Sequence, residues 1–334
     1  MRFGVLLAAT VFAWRLLAGS ADAECVEAPD LANLRDAAFA DYAAGPAAAD
    51  RIGRVVAPVS VNGQGPFRFI VDTGANRSVV SEALAAQLGL TPHGIGEVHS
   101  VHGVSLAPLV DVSSLHYGDI SLNTASLPML SGAMLAGEQG LLGVDGMRGR
   151  RLRIDFDRTC VEIVTSRGAR RLGFGWTTVR GELRSGHLVL VRGEVSGLPV
   201  NMFIDTGSNT TLANLALRDR LRERIGARAI DVNPVRAYTA GRPVVLDALI
   251  MLPLVSLGDI EARNIAAYVD DYHIFRLWGL GDEPALLIGM DVLSQTRGVA
   301  IDYERATVHL HLRDVVTTGS RLAGPRGAGA VIRN

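Results

Sequence analysis

The sequence predicts an all-β protein built from two homologous lobes, and three observations predict it. From Arg51 onward the chain falls into short Val, Ile, Leu and Phe runs bounded by Gly, Pro, Asn and Asp, the pattern of many short strands. One set of motifs occurs twice, in the same order. The length of 334 residues suits two units of about 150 each, and 48% hydrophobic against 20% charged residues gives both a core.

The repeat is read block by block. Phe69-Ile70-Val71-Asp72-Thr73-Gly74-Ala75-Asn76 is echoed by Met202-Phe203-Ile204-Asp205-Thr206-Gly207-Ser208-Asn209. Tyr117-Gly118-Asp119-Ile120 is echoed by Leu257-Gly258-Asp259-Ile260, and Leu141-Leu142-Gly143-Val144-Asp145 by Leu287-Ile288-Gly289-Met290-Asp291. Ile154-Asp155-Phe156 returns as Ile301-Asp302-Tyr303. The offset grows from 133 to 147 residues along the chain, as small insertions in the second half produce. Asp-Thr-Gly alone is expected about once per several thousand positions, so two copies at one place in a repeat carry weight.

In chain order, Met1-Arg2 precedes a 12-residue apolar run from Phe3 to Trp14, and Ala21-Asp22-Ala23 offers small residues to a signal peptidase. Residues 1–23 therefore read as a secretory signal, too short for a spanning helix, which needs about 20 apolar residues. Arg15 interrupts the apolar stretch, which leaves an uncleaved amphipathic anchor as the alternative. The expectation is an exported protein, periplasmic or secreted, with no stable membrane insertion after cleavage. Export permits a disulfide between Cys25 and Cys160, the two cysteines of the chain; two unpaired thiols is the equal alternative. Residues 24–50 read as an N-terminal segment with a short helix over Leu31 to Tyr42, broken at Gly45-Pro46. Lobe 1 follows over 51–166, an Arg- and Gly-rich connection over 167–186, lobe 2 over 187–312, and a loose tail over 313–334.

Thirty-three basic against 34 acidic residues give a net charge of −1, which argues against a nucleic-acid partner. Every basic residue is Arg. The missing Lys excludes Schiff-base chemistry and P-loop phosphate binding. No Gly-x-Ser-x-Gly elbow is present, so a serine hydrolase has no visible nucleophile.

An apolar strand that ends in Asp-Thr-Gly delivers a carboxylate where the chain turns. Gly74 and Gly207 permit close approach by a partner chain, and the hydroxyls of Thr73 and Thr206 can bond across to the other lobe. Two such loops about a pseudo-two-fold axis bring Asp72 and Asp205 into one site. Two carboxylates about 3 Å apart repel by about 5 kcal/mol at an effective dielectric of 20, so the pair holds one proton over a broad pH range. A base and an acid so paired can activate water against an amide carbonyl without a cofactor or a metal.

These residues resemble the retropepsin-like aspartic proteases (clan AA), in a single-chain, two-lobed bacterial-type form. The resemblance spans roughly Arg51 to Leu312 and rests on both Asp-Thr-Gly-Ala/Ser motifs and both later apolar-apolar-Gly motifs. It implies two acid-protease-like closed β-barrels, an aspartic endopeptidase acting on a peptide or protein substrate, and Asp72 and Asp205 as the catalytic pair. It also implies that Thr73, Gly74, Thr206, Gly207 and Ser208 support the catalytic loops, with Leu142-Gly143 and Ile288-Gly289 passing behind them. Both lobes lie in one chain, so a monomer carries a complete site. The alternative is a catalytically silent protease-like module that holds peptides without cleaving them.

A hairpin flap is expected after each catalytic loop: 97–106 with His102 and Gly103, and 235–246 with Tyr238 and Gly241. Ser208, where the first loop has Ala75, is expected to bond its own aspartate, making Asp205 the more acidic member and Asp72 the proton holder. Glu97, His99 and His102 lack the spacing and third ligand of a zinc site. His309 and His311 are expected to face solvent, and Asp145, Asp155, Asp291 and Asp302 to be turn-formers and surface charges at strand ends.

Overall fold

In a computed structural model, the described residues are 26–27, 54–313 and 331–333, less 118–119, 123–125, 133, 159, 168, 170, 185–187, 233–235, 240–241 and 246–247; the side chains of 26–27, 229, 232–248 and 331–333 also lie outside that description. The fold is all-β and two-lobed, with two barrel-like sheets of acid-protease type.

Lobe 1 is a nine-stranded sheet that starts from the hairpin of Val56–Val61 and Gln64–Val71. Asn62 and Gly63 both take positive φ there, 52° and 73°, which matches the twist of the flanking strands. Phe67, Phe69 and Val71 are buried, one face of a strand with period two. Gln64–Val71 also pairs in parallel with Gly140–Leu142, which pairs antiparallel with Val79–Ser81. Lobe 2 repeats each step. Leu188–Val195 and Leu198–Ile204 turn at Ser196 and Gly197 (φ 49° and 74°), and Leu198–Ile204 runs parallel to Ala285–Ile288, which pairs antiparallel with Leu212–Ala213. The Gly-Asp-Ile blocks mark a second hairpin in each lobe, with Tyr117 opposite Ile120 and Leu257 opposite Ile260.

The last repeated block joins the lobes. Arg150–Asp155 lies antiparallel to Gly298–Asp302, with Leu152 opposite Ile301, and Cys160–Thr165 and Thr307–His311 flank them. The final strands of the two halves thus pair with each other and lie within one 14-stranded sheet that also holds lobe 2.

The expected connection over 167–186 contains the strand Trp176–Arg184, which pairs first with Thr307–His311 and then with Leu188–Val195. Most of its side chains are exposed or half-buried, so its Arg and Gly content masks a surface strand. In the segment read as helical, Val26–Glu27 is a strand against Cys160–Val161; the helix expected over Leu31–Tyr42 lies outside the described residues, as do residues 1–23. Cys160 is disulfide-bonded, and Cys25 is outside the described residues. The tail ends in the strand Val331–Arg333 on Glu261–Arg263, where apolar Val331 and Ile332 find an open sheet edge. Among the described residues no helix is long and apolar enough to cross a membrane.

Candidate active site

Each Asp-Thr-Gly loop begins where a buried strand ends beside its parallel partner. The Asp72 amide donates to the Leu142 carbonyl and the Asp205 amide to the Ile288 carbonyl, both at 2.9 Å. Asp72 Oδ1 then accepts from the amides of Gly74 and Ala75 at 2.9 Å. Asp205 Oδ1 accepts from the amides of Gly207 and Ser208 at 2.8 and 3.2 Å. Nine residues past each aspartate a polar side chain caps a helix: Ser81 takes the Leu84 amide and Asn214 the Leu217 amide.

The two loops interlock. Thr73 Oγ1 donates to the Ile204 carbonyl at 2.6 Å and accepts from the Thr206 amide at 3.1 Å. Thr206 Oγ1 donates to the Val71 carbonyl at 2.5 Å and accepts from the Thr73 amide at 3.2 Å. Thr73 and Thr206 are 4% and 0% exposed, so no water competes for these bonds. A Cβ on Gly74 would lie 2.6 Å from Asp205 Cγ, and one on Gly207 would lie 2.2 Å from Asp72 Cγ. Each loop glycine therefore leaves room for the carboxylate of the opposite lobe. The carboxyl groups of Asp72 and Asp205 thus lie beside each other, close enough for each to act on the other's ionisation.

The apolar-Gly segments lie against the same loops. A Cβ on Gly143 would meet the Arg77 backbone at 2.6 Å, and one on Gly289 the Thr210 carbonyl at 2.5 Å. Val144 and Met290 donate their amides to the carbonyls of Ala75 and Ser208. Leu142 and Ile288 are buried alongside Val71 and Ile204.

Asp145 and Asp291, expected as turn-formers and surface charges, instead hold the loops from behind. Asp145 accepts from the Ser78 amide and hydroxyl at 3.0 and 2.7 Å, and Asp291 from the Thr211 amide and hydroxyl at 3.0 and 2.8 Å. The same hydroxyls accept the amides of Gly143 and Gly289. The sequence offered only the repeat itself, an Asp two residues after each repeated Gly with a hydroxyl six residues after each Asp-Thr-Gly Asp, which does not distinguish a brace from a turn. Asp302 is likewise no surface charge; it is 2% exposed and bonds Ser166 and Arg305 at the lobe junction. His309 bonds Thr178 and Thr307, and His311 stacks on Trp176.

A model of the aspartyl protease family matches residues 57–145 and 191–292, one stretch in each lobe. The chain belongs to the aspartyl protease family. Each matched stretch contains one Asp-Thr-Gly loop and ends at, or one residue past, the Asp that holds the loop from behind. No curated protein matches the chain.

Burial raises both carboxyls of the pair above the ordinary carboxylate value. Asp205 is raised furthest, by its burial and by the Asp72 charge beside it. Asp72 is held back by the hydrogen bond from Asp205 and by the Arg54 guanidinium. The two carboxyls therefore titrate as one coupled pair that holds a shared proton above the ordinary carboxylate range. The hydrogen bond from the Ser208 hydroxyl to Asp205, on which the expected assignment of the proton rested, is not made. The Ser208 hydroxyl donates to the Thr210 carbonyl at 2.7 Å, and only its amide reaches Asp205. Arg54 escaped the sequence reading, since nothing near it in the chain ties it to the Asp205 loop, where its Nε lies 3.4 Å from Asn209 Oδ1.

The hairpin of Pro92–His99 and Val104–Asp111 occupies the expected lobe 1 flap position, with His102 and Gly103 in its turn. Val98 and Ala107 on one face close a small apolar cluster with Val79, Leu130, Leu135 and Leu141. In lobe 2, Arg236–Thr239 and Arg242–Val245 form a separate hairpin with Tyr238 opposite Pro243; the Tyr238 side chain and Gly241 are outside the described residues. Among the described residues no group of three His, Cys, Asp or Glu could hold a metal ion.

Proposed function

We propose that this aspartyl protease is an active, exported endopeptidase in which Asp72 and Asp205 activate water. What carries the reading is the contact of the two carboxyls, each admitted by the other loop's glycine, in a chain where both Asp-Thr-Gly motifs are intact. In this reading Asp72, the half-buried member, is the base, and Asp205, the buried one, is the acid. Water oxygen adds to the scissile carbonyl carbon while Asp72 takes a water proton and Asp205 gives its proton to the carbonyl oxygen. The diol then collapses. Asp72 returns its proton to the amide nitrogen, the C–N bond breaks, and a diol hydroxyl restores the proton on Asp205.

Thr73 and Thr206 fix the separation of the carboxyls, and the Gly143 and Gly289 segments with Asp145 and Asp291 keep the loops from retreating. The lobe 1 hairpin and the apolar cluster beneath it suit an extended peptide with an apolar side chain. One chain supplies both halves of the site, which supports a monomer as the working unit. The first 23 residues support export.

The test is cleavage of an unfolded protein by the purified chain, with a statine-type inhibitor as a block. Asp72→Asn and Asp205→Asn should each abolish turnover. Full activity in either variant refutes the reading, and stable peptide binding without cleavage by the wild type makes the protein a peptide-holding module.

A further inference from the structure

The lobe 1 hairpin reaches beyond its own lobe. Its turn is closed by Ser100, whose amide and hydroxyl both donate to the Gly103 carbonyl, at 2.8 and 3.0 Å. From there Val101 packs against the main core, and its carbonyl accepts the Ile274 amide of lobe 2 at 3.4 Å. The His102 ring stands 5.5 Å from the buried Tyr272 ring. Beside this contact His99 Nδ1 lies 3.0 Å from His273 Nε2, with the rings parallel within 8° and their centroids 5.3 Å apart. Two segments 174 residues apart, one from each lobe, thus meet through a pair of imidazoles.

We propose that His99 and His273 clasp the lobe 1 hairpin onto lobe 2, and that protonation of both imidazoles releases it. An N–H···N bond needs a hydrogen on one ring and a lone pair on the other. Neutral rings satisfy this, and so does a pair carrying one extra proton. A second proton removes the last acceptor and sets two cations edge to edge. Imidazole is the side chain that ordinarily gains its proton in mildly acid solution, so a fall in pH supplies the second proton.

The surroundings do not cancel the repulsion. Glu97, on the hairpin, lies 3.6 Å from the outer nitrogen of His99 and offsets one positive charge. His102, in the turn, adds another titratable ring on the same side. On lobe 2, Asp271 is engaged by Arg276, and Asp270 accepts the Asp271 amide. Tyr272 is buried. Under the proteolytic reading, on which this consequence rests, release of the clasp opens the way for peptide between the lobes; the clasp itself stands on geometry alone.

Hydrogen exchange on the full chain, corrected for the intrinsic pH dependence of amide exchange, tests it without any turnover, so it succeeds or fails separately from the cleavage assay. In the wild type, protection of segments 98–106 and 270–278 should fall at least about tenfold from pH 8 to pH 5, while Gln64–Val71 stays protected. His99→Gln and His273→Gln should each flatten that change to within about threefold. Wild-type protection that does not change with pH, or an unchanged fall in both variants, overturns the proposal. Should the variants fail to fold, imidazole nitrogen resonances of the wild type decide it. The coupling across the His99–His273 hydrogen bond must vanish at the pH where protection is lost, and a coupling that survives the loss refutes the clasp.

Discussion

Replacing Thr206 by Val keeps the shape of the side chain and removes the hydroxyl that ties the lobes together. The structure gives the size of the effect. The Thr206 hydroxyl donates to the Val71 carbonyl and accepts the Thr73 amide, and the site is fully buried. Both backbone groups are left without partners in Thr206→Val, at about 1–3 kcal/mol each, or about 2–6 kcal/mol together. At about 2.1 cal/mol/K per residue, 1 kcal/mol moves the Tm of a 334-residue chain by about 1.5 °C, so the fall should be at least about 3 °C. Thr206→Ser is the informative control. It keeps both hydrogen bonds and loses one methyl group, worth about 1 kcal/mol. Thermal unfolding followed by circular dichroism should rank wild type above Ser and Ser above Val. If packing alone held the loops, Val would be the more stable of the two, and that order refutes the reasoning.

Asp205→Asn should raise stability at neutral pH. Folded-state pKa values of the pair lie above 3.8, so the wild type loses stability as pH rises through them, whereas Asn has no such loss; a higher Tm at pH 7 is expected, and a lower Tm refutes it. Asp302 has the opposite sign. Hydrogen bonds from Ser166 and Arg305 depress its pKa against the effect of burial, so its contribution is present above pH 3.8 and is lost as pH falls through the folded value. Asp302→Asn should therefore flatten acid unfolding below pH 4, as read by fluorescence. Arg54→Gln removes the charge that favours ionised Asp72 and should move the acidic limb of the kcat/KM profile to higher pH, with no movement counting against it. Gly207→Ala places a methyl carbon 2.2 Å from Asp72 Cγ and should lower kcat by at least about 100-fold; activity near wild type would show that the loops are not in close contact.

The Asp-Thr-Gly loops were legible because their signal is local. A buried strand, an Asp at its end, a Thr and then a Gly is a pattern within eight residues, and its repetition 133 residues later made the pairing of Asp72 with Asp205 inferable. The hairpins were legible for the same reason, as alternating apolar residues around Gly-Asp and Asn-Gly turns. Asp145 and Asp291 were visible as repeated residues but not as braces, because a carboxylate at a turn and one that holds a loop look the same in one dimension. The segment 167–186 was misread where a polar outer face diluted the strand pattern of Trp176–Arg184.

The sequence by itself determined which two carboxylates meet, the two-lobed β architecture and the turns that deliver the loops, because periodicity and turn chemistry act over a few residues. Only the tertiary structure decided that burial raises both carboxyls, that the last strands of the halves pair with each other, and that His99 meets His273. Those outcomes depend on burial, on register and on charges brought together from distant parts of the chain, such as Arg54 beside the Asp205 loop. The hydroxyl of Ser208 shows the difference: sequence left it a choice of acceptors, and the folded backbone placed the Thr210 carbonyl within its reach instead of Asp205.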